Sequence, residues 1–305
     1  MGVPRVGPAG GVAGGPASGV GAPGDGGLRD GGYLQARQRS ENFPVALRVL
    51  PRRLRVHLGA VYQVARVIDD LGDAAPGDRV AQLEAFAADL GTIWAARIPQ
   101  APVLRNLAGT VRACDLPQEP FDKLVRANIV DQRVTGYPTF QDLLGYCELS
   151  AEPVGRIVLG VFGAGTPQRI AWSDRICTAL QLIEHWQDVA EDRRAGRIYL
   201  PGEDLLRFGV APGDLDASAS TPALRELIAF EAGRAREMLV SGLPLLGELR
   251  GWARLAITGY VAGGLAALDG LRRSGWEVLP GSPGVRRSDL VRRLTWLLTL
   301  RRAGS

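Results

Sequence analysis

The chain has 305 residues, 46% hydrophobic and 22% charged, with a net charge of +4, an ordinary balance for a globular protein that can bury a sizeable core. Its basic residues are almost all arginine, Lys123 being the one lysine, and no basic stripe interleaved with aromatics points to nucleic acid. Cys114, Cys147 and Cys177 are too scattered for a disulfide framework or a zinc site, and no run of 18 or more apolar residues spans a membrane. With no basic start followed by an apolar stretch at the N-terminus, a reducing cytoplasm is the expected setting.

Residues 1–37, dominated by Gly, Pro, Ala and Val, cannot bury enough surface to offset their ordering entropy and are expected to form a disordered tail. From residue 38 to 305 the texture changes. Apolar residues recur at three and four in "VALRVLPRRLRVHLGAVYQVARVIDDL", "RVAQLEAFAADLGTIWAARI" and "AWSDRICTALQLIEHWQDVAED". The same period continues in "ALRELIAFEAGRAREMLVSGLPLL" and "WARLAITGYVAGGLAALDGLRRSG". Prolines and glycines fall mostly between these segments, and alternating strand-like runs are absent. The spacing predicts an all-α fold, one domain of many helices.

Two of these helices carry paired aspartates four residues apart, Asp69 with Asp73 and Asp188 with Asp192. On a helix each pair shares a face, and its repulsion costs about 0.2–0.5 kcal/mol. Arg66 and Tyr62 lie near the face of the first pair. Gln181, Glu184, Asp188 and Asp192 form a stripe on the second, with His185 beside it. One such pair is ordinarily a solvated face. Two of them, on helices this apolar and with Arg193, Arg194 and Arg197 nearby, suggest opposed faces holding Mg²⁺ and a diphosphate.

The motifs "SENF" (Ser40–Phe43), "YQVARVIDDLGD" (Tyr62–Asp73), "YCELSAEPVGRIVLGVFG" (Tyr146–Gly163) and "QLIEHWQDVAEDRRAGRIYLP" (Gln181–Pro201) follow one another in the order and approximate spacing of the squalene/phytoene synthase family. The resemblance covers essentially everything after residue 38. "SAEPVG" and "HWQDVAED" are most similar to the bacterial hydroxysqualene synthase branch. It implies the isoprenoid synthase fold, a helical domain around a central cavity, with Asp69, Asp73, Asp188 and Asp192 as Mg²⁺ ligands. Ser40, Phe43, Arg55, Tyr62, Arg66 and Arg197 would bind substrate, five of them at the diphosphate. Tyr146, Ser150, Val154 and Gly155 would line a helix break where a carbocation forms, and Gln181 would face the reacting centre.

The chain departs from the family at Glu184, where Asn is usual, and at Glu41 and Asn42. Tyr260 and Arg286 or Arg287 are the candidates for a C-terminal phosphate-binding pair. The resemblance implies ionisation of presqualene diphosphate and quenching by water to hydroxysqualene, a step of hopanoid and squalene biosynthesis. Glu184 and His185 are the residues expected to position that water. The substrate would arrive from a presqualene diphosphate synthase, and the product would pass to an amine-oxidase-like reductase. No strand-linked GxGxxG motif points to a nicotinamide. His57 and Cys147 read as structural. The helix from Ser288 is expected to pack on the core, with peripheral membrane contact as its alternative. Competing readings are head-to-head condensation of two prenyl diphosphates and a helical regulatory or assembly protein.

Overall fold

In Arg52–Asp73, the residues Leu54, Leu58, Val61, Val64, Ile68 and Gly72 recur every three or four positions and wind into the buried stripe of a helix, α1. Arg55, Tyr62, Arg66, Asp69 and Asp73 follow the same period on another face of it. The computed structural model describes residues 50–299. The tail expected over 1–37, as well as Ser40 and Phe43, lies outside the described residues.

Ten further helices of the expected kind follow before the chain reaches its last long pair. α2 (Arg79–Gly91) begins where the Asp78 carboxylate accepts from the Ala81 amide. α3 (Pro102–Cys114) and α4 (Glu119–Asp131) carry proline in the first turn, where the missing N–H costs nothing. α5 (Phe140–Ser150) opens with a reciprocal capping box between Thr139 and Asp142. α6 (Glu152–Val161) follows after a single residue, because Pro153 cannot continue the α5 hydrogen-bond ladder. Thr166 caps α7 (Pro167–Gln187), which is followed by the short helices α8 (Val189–Arg194) and α9 (Gly202–Phe208). A 3₁₀ turn (Pro212–Asp216) leads to α10 (Pro222–Ser241) and α11 (Pro244–Glu248). The last pair is α12 (Gly251–Arg273) and α13 (Arg287–Thr299). Among the described residues the expected all-α class holds, the sole strand-like feature being a bridge between Gly136 and Ile198.

α1 packs on α2, α3 and α4, and α7 packs on α6, α10 and α12. α6 touches both α1 and α7 and so joins the two groups. α13 is pinned to α12 by Asp269, which accepts from Arg292 (2.9 Å) and twice from Arg293 (2.8 and 2.7 Å). Leu297 of α13 is buried, as expected for core packing, while Val291, Trp296 and Leu298 stay exposed. His57 is satisfied by Thr110 at 3.0 Å, and burial pushes the Cys147 thiol up to about 12, which leaves it inert.

Glu231 of α10 is fully buried, with Arg234 at 3.2 Å. Burial pushes its carboxyl up to about 8, against the pull of Arg234, and the neighbouring Asp204 adds to the rise. A carboxyl raised in the folded state stabilises the fold while protonated. That contribution is complete below its ordinary value and is lost as pH rises through about 8. Thermal melts between pH 5 and 8.5 should therefore show Tm falling with pH in the wild type, and falling less in Glu231→Gln.

Candidate active site

The acidic end of α1 meets the segment after α8. Arg197 donates to Asp73 at 3.3 Å, and the Arg197 amide donates to the Asp192 carbonyl at 2.9 Å. One arginine thus ties a carboxylate of the first pair to the backbone of the second. The tie is held by main-chain bonds: the Ile198 amide donates to Thr135 (2.8 Å) and the Gly202 amide to Tyr137 (2.9 Å). These bonds lay the segment 197–202 along the α4–α5 connection and stack Tyr199 on Tyr137, with centroids 5.9 Å apart.

Around this seam lies an aromatic and polar cluster. The His185 ring stacks on Tyr199 at 3.7 Å. His185 Nε2 is 3.1 Å from Gln181 Nε2, and Nδ1 is 3.6 Å from an Asp192 oxygen. The Tyr146 hydroxyl donates to Asp131 at 2.8 Å. Burial raises the Tyr137, Tyr146 and Tyr199 phenols, so all three stay neutral. A cavity of about 10 Å³, the size of one water, lies between His185, Asp192, Arg197 and Tyr199.

The carboxylates fit divalent cations in one manner. Asp192 Oδ2 is buried with no hydrogen-bond partner, an acceptor that a cation would satisfy. Burial pushes the Asp188 carboxyl up, Asp192 adds to the rise, and a Ser282 hydroxyl opposes it. No three carboxylate, histidine or cysteine side chains among the described residues stand close enough to hold an ion unaided. Mg²⁺ needs no such cage, because it takes one or two carboxylates and draws its remaining ligands from water and substrate phosphates.

The squalene/phytoene synthase family profile matches residues 36–297. The chain belongs to the squalene/phytoene synthase family. Enzymes of this family act on prenyl diphosphates head to head. A phytoene synthase from Mycobacterium tuberculosis is 32% identical over 256 residues, covering 82% of this chain and 80% of that protein. A hydroxysqualene synthase from Zymomonas mobilis is 36% identical over 207 residues, covering 66% of this chain and 68% of that protein. The solved squalene synthase HpnC from Alicyclobacillus acidocaldarius is 40% identical, with a TM-score of 0.74 over 81% of this chain and 95% of its own. The all-α isoprenoid synthase fold expected from the motifs is therefore the fold of this family member.

Within that frame several expectations are corrected. Asp188 and Asp192 do not lie on one continuous helix: α7 ends at Gln187, and Asp188, at φ −104° and ψ 17°, caps α8. The Asp188 side chain makes no capping bond there; the Asp192 amide donates to the Asp188 carbonyl at 2.8 Å, so the four-residue step between the pair persists. Gly155 packs closely on α7, since a side chain there would run into Ser173 and Cys177. Glu184 is exposed while His185 is buried, and His185 turns its two nitrogens to Gln181 and Asp192. Arg66 pairs with Asp70 at 2.8 Å, a neighbour the four-residue spacing did not single out.

The other expected residues fall as follows. Asp69 accepts from Asn128 at 3.4 Å. Tyr62 is half-buried on the same face of α1, and Arg55 is exposed two turns before it. Ser150 donates to the Tyr146 carbonyl at 3.2 Å, and Val154 is half-buried just past the α5–α6 break. Tyr260 lies beside Cys177, and Arg286 and Arg287 are exposed. Asp131, Asn128, Tyr137 and Tyr199, which the motifs did not single out, contact the expected residues Asp69, Tyr146 and His185. Tyr199 stands inside "RIYLP", and Asn128 and Asp131 end an amphipathic helix with two polar residues three apart.

Proposed function

We propose that the chain converts presqualene diphosphate to hydroxysqualene and diphosphate. The ion pair of Arg197 with Asp73 carries this reading, because it brings the first acidic pair to the segment that follows the second. Asp69, Asp73, Asp188 and Asp192 would hold Mg²⁺, which when bound supplies positive charge for the departing diphosphate. Arg197 adds fixed positive charge beside Asp73, while Arg66, paired with Asp70, joins Arg55 and Tyr62 on the face of α1 that would meet the diphosphate.

The C–O bond to diphosphate breaks, and its electron pair leaves on the diphosphate. The carbocation rearranges beside Tyr146, whose neutral phenol offers lone pairs and a π-face but no anionic nucleophile. Water then adds through oxygen and releases a proton, so the atoms balance without a reductant. The pair of half-buried Gln181 and buried His185 would position that water, the role expected of His185 together with Glu184. The reading implies a supplier that condenses two farnesyl diphosphates and a consumer that reduces the alcohol. Exposed Val291, Trp296 and Leu298 on α13, with Arg287 and Arg292 also exposed, support peripheral contact with a bilayer for a substrate this apolar. No helix of the described residues is long and apolar enough to cross one.

A second reading, condensation of two prenyl diphosphates, is favoured by the mycobacterial phytoene synthase, whose match covers 82% of this chain. Purified protein with Mg²⁺ should release hydroxysqualene from presqualene diphosphate and leave farnesyl and geranylgeranyl diphosphates untouched, as followed by mass spectrometry. Consumption of either of the latter would replace the first reading with the second. Turnover of none, with no Mg²⁺-dependent diphosphate binding, would favour a regulatory or assembly role.

A further inference from the structure

The end of α4 carries polar residues that the two acidic pairs do not account for. Asn128, Asp131 and Gln132 stand at i, i+3 and i+4 and therefore share a face. Asn128 donates to Asp69 at 3.4 Å, and Gln132 donates to the Gly72 carbonyl at 2.9 Å. Together they clamp α4 onto the acidic end of α1. The clamp needs a glycine at position 72, because a side chain there would collide with the Asn128 carboxamide.

Asp131 serves a different partner. Its Oδ2 accepts from the Tyr146 hydroxyl at 2.8 Å, while its Oδ1 is buried with no hydrogen-bond partner. Burial of an unpartnered carboxylate oxygen is costly, and a residue kept only for packing would avoid it. Burial pushes the Asp131 carboxyl up, against the Tyr146 hydrogen bond and the nearby Arg197 and His185, while Asp73 adds to the rise. Asp131 thus stands between the first acidic pair and the Tyr146 ring. That ring is boxed in by Tyr137 at 5.4 Å, Tyr199 at 5.8 Å and His185 at 6.3 Å. With the ring plane fixed by its neighbours, the direction of the hydroxyl is what remains to be set.

We propose that Asp131 is the positioning residue for Tyr146: by accepting the hydrogen bond from the phenol it locks the hydroxyl and turns the oxygen lone pairs toward the carbocation. This rests on the reading of Tyr146 as the residue that faces that cation. Burial holds the Tyr146 phenol well above its usual value, so it keeps the proton it donates.

A double-mutant cycle tests the proposal, with kcat and KM for presqualene diphosphate and ¹³Cζ-tyrosine NMR as readouts. Asp131→Ala should lower kcat about tenfold to a hundredfold with KM little changed, the size expected of a misplaced group. Asp131→Asn, which keeps an acceptor oxygen in place, should stay near wild type. In a Tyr146→Phe background, Asp131→Ala should add no further loss. The Tyr146 Cζ resonance, assigned by its disappearance in Tyr146→Phe, should move in Asp131→Ala and not in Asp131→Asn. If the alanine variant does not fold, Asp131→Ser, too short to span the gap, takes its place.

The proposal is overturned if the Asp131 loss persists in the Tyr146→Phe background, if KM rises with kcat intact, or if the resonance does not move. A resonance that moves as expected in a protein that turns over no presqualene diphosphate upholds the positioning pair and sinks the proposed reaction instead.

Discussion

Asp192→Asn should abolish most turnover while leaving the protein as stable as the wild type or more so. Removing one group that stabilises developing charge typically costs about 10²–10³ in rate, and the metal-ligand role proposed for Asp192 places it at the upper end, about 4 kcal/mol of transition-state stabilisation. Stability moves the other way. Asp192 Oδ2 is buried without a partner, and the Asp192 charge adds to the strain that burial places on Asp188. An amide keeps the shape and removes the charge that burdens Asp188, leaving a neutral polar atom in place of a buried charged one. The Arg197 amide bond to the Asp192 carbonyl is main chain and survives the exchange. Steady-state kinetics beside a thermal melt gives the answer in one preparation. A variant that loses stability and activity in parallel would make Asp192 a structural residue.

The second large effect is expected at Gly155. A Cβ there meets Ser173 and Cys177, both on α7 and close to its axis. Ser173 is itself buried and has little room to withdraw. Gly155→Val should cost about 3 kcal/mol, in the upper range for overpacking. In a domain of this size that lowers Tm by about 6–12 °C. The damage should not stay local. α6 touches both α1 and α7, so pushing α6 off α7 also disturbs the Ser150–Glu152 break beside Tyr146. Calorimetry reads the loss directly, and an unchanged Tm would show that the two helices part without penalty.

These two positions differ in how visible they were in sequence. The first acidic pair was legible because α1 is long and unbroken, so one period fixes its buried stripe and its polar face together. The second pair was legible as a pair but not in its geometry. No proline or glycine interrupts Gln181 to Asp192, and yet the helix stops at Gln187, where Asp188 turns out to cap α8. Glu184 looked like part of the same stripe only while that helix was taken as continuous. Asp131 could not be found by spacing, because its partner Tyr146 lies on a different helix and the bond exists only once α4 and α5 pack. Close packing at Gly155 could be expected from its motif, but its partners, Ser173 and Cys177, appear only once α6 and α7 meet.

The single bridge between Gly136 and Ile198 gives the assembled site a built-in clock. The Ile198 amide is donated to Thr135, one residue after the arginine that ties the two acidic segments. Its exchange with deuterium is slow only while the segment carrying Arg197 lies on the α4–α5 connection. Protection of that one proton therefore reports the closed site without substrate, metal or product, and separates variants that fail in chemistry from those whose seam has opened.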